Sequence, residues 1–340
     1  MSYKESYGIH NNGCSHDFSL SRNPYGCSLK AQETIASAIR NTSIYPHSEH
    51  KLIMEVSSFH SLPPENVVIC AGSIQGIDIT VDALINEGDE IVVTELTFEE
   101  FLYSANRKKP VIKRSDMTFD LALNIDNLES HCNEKTKLVY IVNPNNPTGK
   151  YVSTDEIVKI ADSIPNGYLI VDEANIEFAT GVKSMLRYFD PKGNIIVLRT
   201  FSKAYGLAGM RVGYMVAPDE VVSRLLSDYP PYKCSELSLL AAIEALGDQF
   251  FLVESVNKIR SEYLRFVNRL DKLGLAYIPS DVHTVLVKRP QAFETLEEFV
   301  KYLNKNDIGV VRSDKCDAVR IVMMQPSETD FLLKVLTNIN

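Results

Sequence analysis

A lysine, two hydroxyl residues and an arginine follow one apolar stretch of the chain. Residues 194–198 predict a buried strand, and Thr200, Ser202 and Lys203 come directly after it. A segment punctuated by glycines then leads to Arg211. Open α/β sheets bind ligands at the carboxyl ends of their strands, so these side chains are expected to line a ligand site.

The chemistry of these side chains suits a molecule with one aldehyde and one phosphate. A lysine amine forms a Schiff base with a carbonyl group, and hydroxyls with a guanidinium group hold a phosphate. Pyridoxal phosphate (PLP) offers both groups. An isolated Ser-Lys pair is more often part of an ordinary loop, so the interpretation depends on residues elsewhere in the chain.

Two more strand ends carry groups that suit PLP. A small-residue turn with Gly72 and Ser73 opens a helix, where backbone N–H groups bind phosphate. Asp172 ends the apolar run 168–171, and a buried carboxylate needs a partner such as a pyridinium N–H⁺. That partner keeps the ring protonated and electron-withdrawing. Taken singly, each of these residues also suits a helix N-cap.

An aromatic residue and an Asn-Pro motif follow two further strands. Phe98 comes after strand 90–95 and can stack on a flat ring, although a core aromatic has the same appearance in a sequence. The motif Asn-Pro-Asn-Asn-Pro-Thr-Gly at 143–149 follows a buried strand, and its prolines stiffen the backbone. The Asn146 amide can then donate to a phenolate oxygen. All of these groups are expected at one edge of one sheet.

Predicted strands and helices alternate between residues 66 and 218, and these elements position the residues named above. This alternation predicts an α/β fold with a mainly parallel, seven-stranded sheet sandwiched by helices. The predicted strands are residues 66–70, 90–95, 110–114, 137–142, 168–172, 194–199 and 213–217. The predicted helices between them are residues 74–86, 98–108, 124–131, 153–163 and 183–189.

The chain of 340 residues is long enough for more than one domain. Residues 1–44 are predicted to be an N-terminal segment that packs with the small domain and the active site. Residues 45–234 are predicted to form the large PLP-binding domain. Residues 235–340 are predicted to form a small C-terminal α+β domain, helical as far as residue 272 with an interruption at Gly247-Asp248.

Composition narrows the class of protein. The chain is 45% hydrophobic and 23% charged with a net charge of −9 and no basic block, which argues against nucleic acid as a partner. Its six scattered cysteines form no C-x-x-C pair, so we expect no metal and reduced thiols. No apolar run is long enough to span a membrane, and residues 1–16 lack the apolar core of a secretory signal. We therefore expect a cytoplasmic protein without a membrane partner.

Three motifs in this order and spacing carry a family resemblance. They are the Asn-Pro motif at 143–149, Asp-Glu-Ala at 172–174 and Thr-x-Ser-Lys-x-x-Gly-x-x-Gly-x-Arg at 200–211. Through them the chain resembles fold-type-I PLP enzymes of the aspartate aminotransferase superfamily. It looks closest to the branch of histidinol-phosphate aminotransferase and threonine-phosphate decarboxylase, over nearly the whole chain.

The resemblance implies a role for each cofactor residue. Lys203 would hold PLP as a Schiff base and later move a proton, and Asp172 would pair with the pyridine nitrogen. Asn146 would bond the ring oxygen O3′, and Phe98 would stack on the ring. The phosphate would be held by Gly72, Ser73, the amide of Ile74, Thr200, Ser202 and Arg211.

On the substrate side the resemblance implies a shared site in a homodimer. Tyr45 would reach the phosphate from the other subunit, and Arg320 would bind a substrate carboxylate. Arg312 and Tyr25 would face a distal group such as a phosphate. Two departures fall here: Asn175 replaces a Tyr that also bonds O3′ in the family, and His283-Thr284 replaces an Asn-aromatic pair.

The leading functional prediction is an aminotransferase. It would pass an amino group from a donor such as glutamate to a small, phosphorylated oxo-compound. The first alternative is a PLP-dependent decarboxylase of a phosphorylated amino acid, which needs the same cofactor contacts. The second is a non-enzymatic PLP-binding regulator, but such proteins usually carry a DNA-binding module, and we expect none in this acidic chain.

Overall fold

The computed structural model describes residues 13–228 and 231–339. The strands in chain order are β1 (His16–Asp17), β2 (Val67–Cys70), β3 (Glu90–Thr94), β4 (Val111–Ser115), β5 (Thr136–Val142), β6 (Tyr168–Asp172), β7 (Ile195–Thr200), β8 (Gly213–Val216), β9 (Tyr277–Ile278), β10 (Thr284–Lys288), β11 (Ile308–Gly309), β12 (Val311–Ser313) and β13 (Ala318–Val322). The α-helices are α1 (Leu29–Ala38), α2 (Glu49–His60), α3 (Ser73–Leu84), α4 (Glu99–Asn106), α5 (Ile125–Ser130), α6 (Thr154–Ser163), α7 (Asp219–Asp228), α8 (Glu236–Gly247), α9 (Gln249–Leu273), α10 (Leu296–Lys305) and α11 (Pro326–Thr337).

Seven strands form the central sheet in the order β2-β8-β7-β6-β5-β3-β4. The pairs from β7 through β6, β5 and β3 to β4 are parallel, whereas β8 runs antiparallel to both of its neighbours, β2 and β7. The carboxyl ends of the other six strands therefore share an edge with the amino end of β8. A residue that precedes β8 thus meets residues that follow the other strands.

Both faces of this sheet are buried because its strands are apolar at consecutive positions. Alternate residues of β5, β6 and β7 point into two separate apolar clusters, one on each face. Val139 and Leu169 belong to one cluster, and Tyr140 and Ile170 belong to the other. The predicted α/β fold with a mainly parallel seven-stranded sheet is confirmed.

Two local predictions were incomplete. The helix predicted at 183–189 is a 3₁₀ turn at Met185–Tyr188, because the Glu173 carboxylate accepts hydrogen bonds from the Ser184 hydroxyl and the Met185 N–H and pins the segment there. Helix α7 was not predicted, although Val221, Val222 and Leu225 lie on one buried face of it.

A second sheet is antiparallel, with strand order β12-β13-β10-β9. Helix α9 begins after Asp248, whose carboxylate accepts a hydrogen bond from the N–H of Phe251, so the predicted interruption is present. Strand β1 pairs in parallel with β11, and the N–H of Val322 donates to the carbonyl oxygen of Phe18. The N-terminal segment is thus tied to strands from the end of the chain.

Membrane-spanning helices are not found in the described part of the chain, where no helix combines the necessary length and apolarity. The predicted absence of a secretory signal concerns residues 1–16, of which residues 1–12 lie outside the described residues.

Candidate active site

Asp172 is the last residue of β6 and is 2% exposed at the shared edge of the sheet. Its Oδ2 accepts a hydrogen bond of 2.9 Å from the hydroxyl of Tyr140, and its Oδ1 accepts one of 3.0 Å from the N–H of Ala174. Burial raises the pKa of the Asp172 carboxyl, while these two bonds and the charge of Lys203 oppose that rise. A further cationic N–H partner would stabilise the carboxylate.

Lys203 lies three residues beyond the end of β7, and its Nζ donates a hydrogen bond of 3.2 Å to the carbonyl oxygen of Ser21. Burial, Arg320 and Arg211 lower the pKa of the Lys203 amine to about 8, against the opposing effect of Asp172. A substantial fraction of the amine is therefore neutral near physiological pH, as a nucleophile or a proton acceptor requires.

Arg320, in β13, crosses from the small sheet to the Asn-Pro motif. Its Nη1 donates a hydrogen bond of 2.6 Å to Oδ1 of Asn146, and its Nη2 donates one of 2.8 Å to the carbonyl oxygen of Ser19. Burial lowers the pKa of Arg320 to about 10. Because the Asn146 oxygen is engaged, its amide N–H₂ is left to donate to another acceptor.

A cradle of donors forms where α3 begins. Gly72 has φ +80°, and a Cβ there would lie 2.5 Å from Nη2 of Arg211. The guanidinium of Arg211 also donates to Oγ of Ser202 at 3.3 Å, and the Ser202 N–H donates to Oγ1 of Thr200 at 3.1 Å. Ser73 is the first residue of α3.

The first N–H groups of α3, including that of Ile74, have no acceptor within the helix. The start of β8 also packs closely here, since a Cβ on Gly213 would lie 3.1 Å from the backbone nitrogen of Ser73. Apart from Tyr45, the residues predicted to hold the phosphate are therefore gathered around one helix N-terminus, which favours an anion.

Phe98 and Asn175 complete the predicted cofactor set. Phe98 immediately precedes α4 and packs against the apolar cluster that contains Tyr140. Asn175 precedes a 3₁₀ turn at Ile176–Phe178, and its Oδ1 is buried with no hydrogen-bond partner among the described residues.

Two predicted substrate residues lie apart from Arg320. Arg312 pairs with Val319 across β12 and β13, so it projects from the opposite face of the small sheet. There its guanidinium is exposed and donates a hydrogen bond of 2.5 Å to Oδ1 of Asp314. The pKa of Glu297, on α10, is lowered chiefly by Lys301 and to a smaller extent by the charge of Arg312. Arg312 therefore lies on the other face of the small sheet from Arg320, and its role toward a distal group of the substrate stays a prediction.

Tyr25 lines a surface groove with residues of α9, and the Nζ of Lys258 lies 5.5 Å from the centroid of its ring. Tyr45 is 75% exposed and packs against Tyr232, with ring centroids 4.9 Å apart. Within one subunit, neither ring is described in contact with the cradle at Gly72.

Four functional contacts were not predicted from the sequence. They involve Tyr140, the carbonyl oxygens of Ser19 and Ser21, and His283, which is hydrogen-bonded to Ser21. Only Tyr140 had a signal, since strand alternation places it on the same face as Asp172. The other three depend on contacts between distant parts of the chain.

Comparison with known families identifies the class of protein. The model of aminotransferase class I and II matches residues 17–336. The chain belongs to this family. The aminotransferase is 33% identical over 342 residues to histidinol-phosphate aminotransferase of Staphylococcus saprophyticus, which covers 98% of this chain and 93% of the relative. It is 31% identical over 293 residues to histidinol-phosphate aminotransferase of Methanococcus maripaludis, with 85% and 78% covered.

Solved structures show the same fold. Histidinol-phosphate aminotransferase of Sinorhizobium meliloti in complex with pyridoxal-5′-phosphate superposes with a TM-score of 0.89 at 24% identity, covering 96% of this chain and 91% of that one. Aspartate aminotransferase of Thermus thermophilus with maleate gives a TM-score of 0.85 at 17% identity, covering 96% and 92%. The predicted fold-type-I PLP aminotransferase is confirmed.

The residues of this aminotransferase fit its cofactor, PLP. The guanidinium of Arg211 can approach the start of α3 because Gly72 lacks a Cβ, which would otherwise collide with it. The Nε of Arg320 is buried and has no partner in the described part of the chain, so a donor remains for an anionic ligand. Lys203 would hold the aldehyde carbon, Asp172 the ring nitrogen and Asn146 the ring oxygen.

Proposed function

We propose that this aminotransferase moves an amino group from glutamate to a small phosphorylated oxo-compound, which becomes an amine of the histidinol-phosphate kind. The observation that carries the proposal is the Arg320 guanidinium, which is held by Asn146 and Ser19 close enough to lower the pKa of Lys203. A guanidinium with fixed orientation binds a carboxylate through two parallel hydrogen bonds. The names of the curated relatives support a phosphorylated partner substrate.

PLP, when bound, supplies an aldehyde for covalent attachment and a ring that withdraws electrons from the reacting carbon. We propose that Lys203 holds the cofactor, then takes the proton from the substrate Cα and would deliver it to the cofactor carbon C4′. Asp172 keeps the ring nitrogen protonated, because its carboxylate is buried and needs a cation. Arg320 orients the substrate carboxylate, and the cradle around Arg211 holds the cofactor phosphate.

We further propose that the enzyme is a homodimer and that Tyr45 reaches the cradle of the partner copy. Several exposed large apolar side chains, four near the start of the chain and one that packs against Tyr45, support this assembly, because a monomer would leave them in water. They are Leu29, Ile39, Ile44, Tyr45 and Tyr232. The Tyr45 ring, which packs on Tyr232, lies at the surface of its own subunit, where a partner copy can contact it.

The proposed location is the cytoplasm, which is supported by the acidic net charge and by six cysteines that all remain free thiols. We also keep the proposed division at residues 44 and 234. The second boundary is supported by Ser235, which caps the N-terminus of α8 by accepting a hydrogen bond from the Ser238 N–H.

The test is a single half-reaction with the purified, PLP-loaded protein. Addition of glutamate alone should remove the visible absorbance band of the bound cofactor and release one equivalent of 2-oxoglutarate. The Lys203→Ala variant serves as the negative control. Unchanged absorbance with the wild type would contradict glutamate as the donor. Release of carbon dioxide from phosphoserine or phosphothreonine would instead support the decarboxylase.

A further inference from the structure

Ser21 contacts the active-site lysine with its backbone and a buried histidine with its side chain. Its carbonyl oxygen accepts the hydrogen bond of 3.2 Å from Nζ of Lys203. Its hydroxyl lies 2.7 Å from Nε2 of His283, a residue that is 1% exposed. The histidine is therefore one residue removed from the amine that carries the chemistry.

The imidazole of His283 is held in one orientation. Its ring stacks on Phe178 with centroids 3.6 Å apart and an angle of 24° between the planes. The backbone carbonyl oxygen of His283 accepts a hydrogen bond of 2.8 Å from the N–H of Met323, which fixes the backbone at this position. The buried Nδ1 has no hydrogen-bond partner among the described residues, so Ser21 is the one described anchor of the ring nitrogens.

We propose that His283 is a positioning residue for Lys203. Its imidazole holds the Ser21 hydroxyl so that the Ser21 carbonyl receives the lysine amine whenever that amine is not bonded to the cofactor. The amine must otherwise find an acceptor in a site where Arg320 and Arg211 repel its charged form and Asp172 attracts it. The carbonyl dipole supplies that acceptor and keeps Nζ in one place between proton transfers.

A neutral imidazole is required for this task, because a charged one would add a third cation to the site. Burial together with the charges of Lys203 and Arg320 keeps the pKa of His283 well below its usual value. The ring therefore remains neutral throughout the pH range in which Lys203 titrates. This explains how a histidine takes the place of the Asn-aromatic pair without disturbing the lysine.

The test measures the titration of Lys203 in the PLP-free protein, which needs no activity. The full-length protein is treated with a small amine-acylating reagent across a pH series, and mass spectrometry quantifies the modified Lys203 peptide. Loss of the carbonyl acceptor destabilises the ammonium form, so His283→Leu should lower the titration midpoint by about one pH unit. Ser21→Ala should do the same, and the double variant should shift it no further, because both changes break one linkage.

A matched control is His60→Leu. His60 also bonds a hydroxyl at 2.7 Å, that of Tyr214, but it does not touch Ser21 or Lys203. This variant should leave the Lys203 midpoint unchanged. His283→Gln restores a side-chain hydrogen-bonding group and should recover at least part of the shift seen with leucine.

Two results would overturn the proposal. One is an unchanged Lys203 midpoint in His283→Leu accompanied by a lower melting temperature, which would show that the ring only packs. The other is a shift in His283→Leu that Ser21→Ala does not reproduce. If the leucine variant does not fold, Ser21→Ala decides alone, since it removes only one hydroxyl.

A second readout uses the PLP-loaded enzyme and the glutamate half-reaction. Misplacement of the amine should lower the first-order rate at saturating glutamate by about tenfold, as the loss of one hydrogen bond predicts. The glutamate concentration at half-saturation should stay unchanged, because Arg320 is untouched. A change in the glutamate concentration at half-saturation, with an unchanged maximal rate, would contradict a positioning role for His283. Inactivity of the wild type with glutamate would count only against the proposed donor.

Discussion

The hydroxyl of Tyr140 donates a hydrogen bond of 2.9 Å to Oδ2 of Asp172 from the neighbouring strand. In the register of β5 and β6, Tyr140 lies opposite Ile170, two residues before Asp172 on the same face. The Tyr140 ring is itself fixed, because it stacks on Phe101 with centroids 4.0 Å apart. The carboxylate that is proposed to pair with the cofactor ring is therefore oriented by the sheet core.

Replacement of Tyr140 by Phe should weaken catalysis without preventing cofactor binding. The bond lowers the pKa of Asp172, so its loss should raise that pKa further and move the acid limb of the pH–rate profile to higher pH. We expect a loss of about tenfold in kcat. Asp172→Ala should retain some PLP but lose most turnover. An unchanged acid limb in Tyr140→Phe would show that the hydroxyl does not act on the carboxylate.

Replacement of Lys203 by Ala should abolish covalent attachment of PLP. Borohydride treatment followed by mass spectrometry should find no adduct in this variant and one adduct on Lys203 in the wild type. Lys288→Ala is the matched control, because the Nζ of Lys288 also donates to a backbone carbonyl, that of Cys316, but lies outside the site. A reducible adduct that persists in Lys203→Ala would refute the assignment.

Arg320 acts on Lys203 through charge and is proposed to act on substrate through geometry, and two variants separate these effects. Arg320→Gln removes a cation, so the pKa of Lys203 should rise above about 8, toward its usual value. Arg320→Lys keeps the charge and should leave that pKa near 8. Both variants lose bidentate binding and should raise the KM for glutamate by about tenfold or more. Equal Lys203 titrations in the two variants would disprove the electrostatic coupling.

Gly72→Ala should lower PLP affinity more than protein stability. The new Cβ would lie 2.5 Å from Arg211 and would displace its guanidinium from the cradle. Gly88→Ala is the control for backbone strain alone, because Gly88 has φ +84° and no atom lies within 4 Å of its Cβ position. Backbone strain should cost each variant about 1–3 kcal/mol of stability, because both glycines have a positive φ. Equal PLP dissociation constants for Gly72→Ala and Gly88→Ala, measured by equilibrium dialysis, would show that the cradle does not hold the cofactor phosphate.

Ile44→Asp should disrupt the proposed dimer and release PLP. A charge placed in an apolar interface is costly, so light scattering should report a monomer, and dialysis should remove the cofactor faster. Phe119→Asp places the same charge at a fully exposed apolar residue outside the proposed interface and should leave the dimer intact. A dimer that withstands Ile44→Asp would move the proposed interface elsewhere.

Much of the fold could be predicted from the sequence, because apolar runs and strand periodicity are local signals. The run at 168–172 coincides with β6, and its carboxylate was expected at the sheet edge where the structure has it. The antiparallel direction of β8 was not readable, yet it explains why Arg211, which precedes a strand, lies beside Ser202. Pairing direction depends on the whole sheet rather than on the residues of one strand.

The substrate side was less readable because it depends on register and on distant contacts. Arg312 and Arg320 project from opposite faces of one hairpin because Arg320 pairs with Val311, the neighbour of Arg312. The spacing of the two arginines along the chain does not predict this pairing. His283 meets Ser21 across 262 positions. Local propensity carries no information about such a contact.

The attachment of the N-terminal segment to the last strands determines when the enzyme becomes competent during its synthesis. Ser21 lies 182 positions before Lys203, and Ser19 lies 301 positions before Arg320. On the ribosome, the segment that carries both serines has no strand to pair with until β11 has emerged. The seven-stranded sheet can be complete by then, and Asn23 can already donate to the carbonyl oxygen of Ala204, but the bond between Ser19 and Arg320 cannot yet form. The anchor of Arg320 can therefore form only after residue 320 has left the ribosome, later than every strand of the seven-stranded sheet.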